Sequence, residues 1–130
     1  MYFVNHKVLT DELGTLIKDY LLFAGVVVKT QPYKVNRNVG FFTLIVKEDN
    51  PDENGDVDIY VEYSIDGKDW YRASTTSGGT LTQEANIVTG LKNATKWIVF
   101  TARLTNNVRF VFAPDTDSMV TAEFVYQEDQ

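Results

Sequence analysis

The stretch Val57 to Arg72, reading VDIYVEYSIDGKDWYR, limits what this chain can fold into more than any other part of it. Val57, Ile59, Val61 and Tyr63 fall on one face at period two, with Asp58 and Glu62 on the other, which is the pattern of a half-buried antiparallel strand. The strand ends in Ser64-Ile65-Asp66-Gly67, where Asp66-Gly67 supplies residues that tolerate positive φ, so the chain turns back as a tight hairpin and re-enters at Trp70 and Tyr71. This commits the chain to β architecture and names no chemistry.

Other segments repeat the pattern. Val108, Phe110 and Phe112 alternate within Asn107 to Ala113, and Val120, Ala122, Phe124 and Tyr126 within Met119 to Gln127. Thr95 to Arg103 and Ala24 to Thr30 read as further strands, the second rich in β-branched Val26, Val27 and Val28 and broken by Gln31-Pro32. Gly40 to Glu48 is apolar on both faces, as expected of a central strand covered twice or of one side of an intermolecular contact. Asn106-Asn107 and Pro114 to Asp117 are the turns, and the Ser/Thr/Gly-rich stretch Ala73 to Ala85 reads as a long surface loop. From Thr10 the spacing predicts a short helix, capped by Thr10 or Asp11, with Leu13, Leu16, Ile17, Tyr20 and Leu21 on one face; Gly14 weakens it. The expected fold is all-β, a two-sheet antiparallel β-sandwich, jelly-roll-like, with one short N-terminal helix. Residues 1–9 form an apolar arm or first strand, and residues 10–130 a single domain.

Twelve Lys and Arg against eighteen Asp and Glu leave a formal charge of −6, and the basic residues are scattered, so no phosphate-tracking stripe exists and nucleic acid is not an expected partner. The absence of cysteine removes disulfides, thiol nucleophiles and thiolate metal sites together. The most apolar run, Tyr20 to Val28, is about half the ~20 residues that span a bilayer, and the first residues lack the layout of a signal peptide. No membrane is expected, and the protein is read as staying in a cytoplasm or entering a particle assembled there. Asn93-Ala94-Thr95 matches the glycosylation acceptor pattern by chance on that reading.

Catalytic inventories are thin. The only histidine, His6, lies in the terminal arm, where it serves neither a Ser-His-Asp triad nor a zinc shell. Asp49, Asp52, Glu53, Asp56, Asp66, Asp69, Asp115 and Asp117 are concentrated in turns, where aspartate bonds the local backbone, so a glycosidase-type dyad is not the reading they favour. Asn50, Asp52, Asn54, Asp56 and Asp58 surround Gly55 at the sixth place of a calcium-loop pattern, but the twelfth place is Val61 where a bidentate glutamate belongs. No enzyme and no cofactor is expected. Phe41 and Phe42 point to opposite faces of their strand and, with Tyr2, Phe3 and Val4 of the arm, are the predicted subunit contacts. Trp70 is predicted to plug the core beneath the hairpin, while Tyr60 and Tyr71, out of phase with their apolar neighbours, are predicted to be exposed.

The run Glu62 to Trp70 (EYSIDGKDW), together with Val108-Arg109-Phe110-Val111-Phe112, resembles the Ser-x-Asp-Gly-x-x-Trp hairpin and Arg-apolar-x-Phe strand of discoidin-like jelly rolls and carbohydrate-binding modules. It is similar also to small structural proteins of tailed bacteriophages, head decoration proteins among them. The chain departs from the discoidin pattern in lacking cysteines. The phage resemblance implies a non-enzymatic capsid decoration or auxiliary protein of the virion, bound to the major capsid protein or other virion subunits and homo-oligomeric, with a trimer at local threefold positions. The competing reading is a carbohydrate-binding module in which Tyr60, Tyr71 and Trp97 stack on sugar rings and the 73–85 loop supplies hydrogen bonds. No functional residue carries over from either resemblance.

Overall fold

A computed structural model of the chain describes residues 2–34, 41–50, 55–72, 74–77, 80–83, 86–101 and 107–129. Side chains are described from His6 onward, and those of Lys34, Phe41, Phe42, 74–77, 80–83, 99–101 and 126–129 also lie outside the described set.

Two antiparallel sheets make up the fold. In the first, β1 (Tyr2–Val8) pairs with β13 (Ser118–Asp129), β13 with β5 (Phe41–Glu48), and β5 with β11 (Thr95–Thr101). The short β2 (Tyr20–Leu22) continues the β1 edge along the other half of β13, where Val120 faces Tyr20 and Ser118 faces Leu22. In the second sheet, β10 (Val88–Leu91) and β7 (Tyr71–Arg72) share one edge of β6 (Val57–Ser64). β6 pairs with β12 (Asn107–Pro114), whose far edge carries β3 (Val28–Lys29) and β4 (Tyr33–Lys34). β8 (Ser74–Ser77) and β9 (Thr80–Gln83) form a separate hairpin, so the expected 73–85 loop carries regular structure.

The core between the sheets is the one that alternation predicts. Val57, Ile59, Val61 and Tyr63 of β6 and Val108, Phe110 and Phe112 of β12 meet Leu44 and Val46 of β5 and Val120, Ala122 and Phe124 of β13. All are buried. Phe110 meets Phe124 edge-on, with ring centroids 5.4 Å apart and planes at 63°, and each fully buried side chain of this size stabilises the fold by about 1.5–3 kcal/mol.

The predicted helix from Thr10 is replaced by a tight turn. Asp11 N–H donates to Thr15 O (2.9 Å) and Gly14 N–H to Asp11 O (3.0 Å), with Gly14 at φ 89°. Ile17 then uses its backbone as a strand does, donating to Leu9 O (2.7 Å) and accepting from Ala122 N–H (2.9 Å). Sheet pairing with β13 thus claims the groups a helix would have needed. The predicted strand over Ala24 to Thr30 shrinks to β3, because a turn from Phe23 to Val26 closes first (Val26 N–H to Phe23 O, 3.0 Å). Residues 2–8 form a sheet strand along their whole length, with Tyr2, Phe3 and Val4 opposite Asp129, Glu128 and Gln127.

Candidate functional site

The most unusual surface lies where residues 10–30 cross from the first sheet to the second. Asp11 organises it: Oδ1 accepts from Leu13 and Thr15 N–H, both at 2.9 Å, and Oδ2 accepts the Tyr20 hydroxyl at 2.7 Å. Thr10 N–H donates to the Tyr33 hydroxyl (3.2 Å), and Gln31 N–H to Thr10 O (3.0 Å), tying the turn to the second sheet. Farther along, Gly25 N–H donates to Pro114 O and Ala24 N–H to Asp117 Oδ1, both at 2.9 Å. The backbone of this flank is held at both ends, yet Leu13 (92% exposed), Leu16, Leu21, Phe23, Val26 and Val27 all stand in solvent. Six large apolar side chains are thus exposed within fifteen positions of one segment.

Burial pushes the Asp11 carboxyl up, but the hydrogen bonds from Tyr20, Thr15, Leu13 and Gly14 together outweigh it and hold the group below its usual range. Tyr20 moves the other way, to about 12, through burial and then through the bond to and charge of Asp11. The depressed Asp11 contributes stability above its unfolded value of about 4, lost as pH falls through the lower folded value; the raised Tyr20 contributes below about 10, lost as pH rises through about 12. Asp11→Ala is expected to cost about 2 kcal/mol in urea unfolding at neutral pH. It should also lower the Tyr20 titration, followed by phenolate absorbance, only part of the way to 10, since burial remains.

The outer face of the second sheet holds a second constellation. By register, Arg72, Glu62 and Arg109 form one row across β7, β6 and β12, and Tyr60, Val111 and Lys29 the next across β6, β12 and β3. Arg109 Nε sits 2.8 Å from Glu62 Oε1, with Lys29 Nζ 3.9 Å from the same oxygen. The Arg109 guanidinium lies 4.3 Å from the Trp70 ring centroid and that of Arg72 4.2 Å from Tyr60, while Arg72 Nη2 bonds Asn86 Oδ1 at 2.7 Å. The hairpin delivers Trp70 there: Gly67 (φ 79°) donates its N–H to Ser64 Oγ (2.8 Å), and Asp66 Oδ1 accepts Lys68 and Asp69 N–H at 2.8 and 3.0 Å. These bonds, from Asp69 first and then Lys68, lower the exposed Asp66 carboxyl despite a small opposing effect of burial. Trp70 is therefore no core plug; it is half-buried on the outer face because a guanidinium offers its ring a partner there.

The third place is the end of β5. Glu48 is 1% exposed, its Oε2 accepts Asn93 N–H, and its Oε1 has no hydrogen-bond partner. Gly55 lies flat against the carboxylate, where an added Cβ would come within 2.2 Å of Glu48 Cδ. Beside it opens a cleft of about 560 Å³ lined by Lys47, Glu48, Asp49, Asn50, Asn93, Ala94 and Thr95.

Of the predicted glycan-stacking residues, Tyr60 is half-buried under Arg72, Tyr71 (65% exposed) stands opposite core-facing Tyr63, and Trp97 (71% exposed) belongs to β11 of the other sheet. They do not form one platform. Phe41 and Phe42 lie on β5, opposite Thr101 and Phe100 of β11; their side chains, like those of Tyr2, Phe3 and Val4, lie outside the described residues. So do residues 51–54 of the calcium-like loop. His6 Nε2 pairs with Glu123 Oε2 at 3.0 Å on the surface. Among the described residues no three His, Asp or Glu side chains converge as metal ligands.

Sequence reasoning missed the exposed flank, the stacked guanidiniums and Glu48. Two of them left signals: Val26-Val27-Val28 cannot all face one core at period two, and Glu48 shares the parity of buried Leu44 and Val46. The chain matches no known protein family, and no curated protein resembles it.

Proposed function

We propose that this chain is a non-enzymatic structural subunit that works by docking its 10–30 flank against neighbouring protein, as a decoration or auxiliary protein of a virion shell does, with a jelly-roll-like winding of its two sheets. The observation that carries the reading is the flank itself: Leu13, Leu16, Leu21, Phe23, Val26 and Val27 are presented to solvent on a backbone fixed by Asp11, Pro114 and Asp117. Fixing the backbone in advance lowers the ordering entropy that docking would otherwise cost. A subunit bound only to the assembled state stabilises it by mass action, and closed cyclic symmetry is the common outcome when copies meet.

The test is sedimentation of the purified chain over a wide concentration range, alone and with assembled capsid shells, beside a Leu13→Ser/Phe23→Ser/Val26→Ser variant. Because these positions are exposed, the variant is expected to keep its melting temperature while losing association at least tenfold. A wild-type chain that stays monomeric and ignores the shells sinks the reading.

A second reading, glycan binding, is favoured by one observation: Tyr60 and Trp70 lie on the same outer sheet face as Arg72, Glu62 and Arg109. Glycan-array binding that disappears in Trp70→Ala, with association unchanged, would replace the first reading by this one.

A further inference from the structure

We infer that the free edge of β11 is a self-association surface, on which the same strand of a second copy of this chain pairs antiparallel about a twofold axis at Ile98. β11 (Thr95–Thr101) closes one side of the first sheet, and among the described residues no strand pairs with its outer edge. Thr95, Lys96 and Trp97 stand exposed there, Trp97 at 71%.

An open sheet edge is a template for another strand, and proteins that stay apart blunt their edges with short strands, charge, proline or bulges. The second sheet does so by length: its edges are made of β10, β7, β3 and β4, of four, two, two and two residues. β1, at the other side of the first sheet, breaks its apolar run with Asn5, His6 and Lys7. β11 carries none of these protections beyond Lys96. Its seven residues, TKWIVFT, hold no proline and run in unbroken register along β5, from Thr95 opposite Lys47 to Thr101 opposite Phe41.

The backbone dictates the register of the second copy. Glu48 N–H donates to Ala94 O (3.0 Å), one step before the Thr95–Lys47 pair, so by alternation Lys96, Ile98 and Phe100 exchange their bonds with β5. Thr95, Trp97, Val99 and Thr101 therefore aim N–H and C=O away from the sheet. A second β11 centred on Ile98 sets Thr95 opposite Thr101 of the other copy and Trp97 opposite its Val99, so every outward group finds a partner. A slip by one residue sets outward groups against inward ones, and a slip by two leaves an end unpaired.

Charge fits the same register. Lys96 falls opposite Phe100 of the other copy, and the two lysines stay roughly 14 Å apart, beyond the screening length of about 8 Å at physiological salt. The two Trp97 residues become diagonal neighbours across the axis, within reach of aromatic side chains. The edge is thus complementary to itself in hydrogen bonds and in charge, which makes the occupant a second copy of this chain.

The experiment is sedimentation equilibrium of the full chain from about 1 μM to about 1 mM, where the mean mass is expected to rise towards that of a dimer. Trp97→Lys, at an exposed position, should weaken the dimer at least about tenfold at unchanged melting temperature, because it removes the rings and sets two more charges across the axis. Val99→Pro removes an N–H that β5 does not use, so it should abolish the dimer and keep the fold; if it does not fold, Trp97→Lys and the thiol test decide. The chain has no cysteine. Ile98→Cys, the one position that meets its own counterpart, should form a disulfide-linked dimer on mild oxidation, since such a pair has Cα atoms about 4.5 Å apart. Thr95→Cys, six positions from its counterpart, should not. β2 and β11 lie on opposite sides of the first sheet, so the Leu13→Ser/Phe23→Ser/Val26→Ser variant, impaired on the flank, should dimerise like the wild type. A chain that is monomeric throughout overturns the inference. So does a dimer indifferent to Trp97→Lys, one lost in the flank variant, or one that crosslinks as readily through Thr95→Cys as through Ile98→Cys.

Discussion

Phe110→Ala is expected to lower the unfolding free energy by about 3–5 kcal/mol, enough to bring a domain at the low end of ordinary stability close to its unfolding midpoint. Phe110 is fully buried and stands edge-on to Phe124, which in turn packs on Tyr33 with centroids 5.5 Å apart. These three rings link β12 of one sheet with β13 of the other and with β4. Removing the Phe110 ring forfeits its transfer free energy and opens a cavity that neighbours committed to both sheets cannot close. The backbone of the residue is fixed as well, since Phe110 N–H donates to Thr30 Oγ1 (3.0 Å) and Thr30 N–H to Phe110 O (2.9 Å), so the strand cannot slide to fill the void. Equilibrium urea unfolding measures the loss, and Phe110→Leu, which keeps most of the volume, should cost about 1 kcal/mol. Equal stability of the alanine variant and wild type would contradict the assignment of Phe110 to the central core.

Gly55→Ala should cost about 3 kcal/mol, although it adds a single methyl group. The methyl carbon would fall 2.2–2.4 Å from Cδ and both oxygens of Glu48, a distance no side-chain carbon tolerates. Either residue 55 lifts off β5, or Glu48 swings out and leaves Asn93 N–H, at a residue already held at φ 42°, without its acceptor. The second route unseats the turn that carries the chain from β10 to β11. Pairing Gly55→Ala with Glu48→Ala provides the check. If the cost comes from this contact, the alanine is far less harmful once the carboxylate is gone, and the double-mutant cycle closes with a large coupling energy.

The strands were legible wherever a side chain's fate depended on its immediate neighbours. Val57 to Tyr63, Val108 to Phe112 and Val120 to Phe124 alternate because one face meets the opposite sheet, and their burial follows that alternation. The same logic failed at residues 10–21, where Leu13, Leu16 and Leu21 have helical spacing but only Ile17 is fully buried. There the deciding partners are remote: Ala122 takes the backbone of Ile17, and Asp11 captures the turn before a helix can start. Trp70 was misjudged for a similar reason. A tryptophan after a hairpin is ordinarily drawn inward, but Arg109 on the neighbouring strand draws this one out, and no local pattern encodes that encounter. As for function, the aromatic residues most visible in the sequence are dispersed over two sheets, whereas the apolar flank comes from aliphatic residues whose exposure is settled only when β2 and β3 take their places at the sheet edges.

β13 joins β1 on one side to β5 on the other, matching Tyr2 with Asp129 and Phe42 with Tyr126. A growing polypeptide therefore cannot complete the first layer until residues 118–129 have left the ribosome, and earlier strands wait with their hydrogen-bonding edges uncovered. Closure over so long a loop makes for slow folding, and the waiting period is when two nascent copies could exchange β1 and emerge entangled.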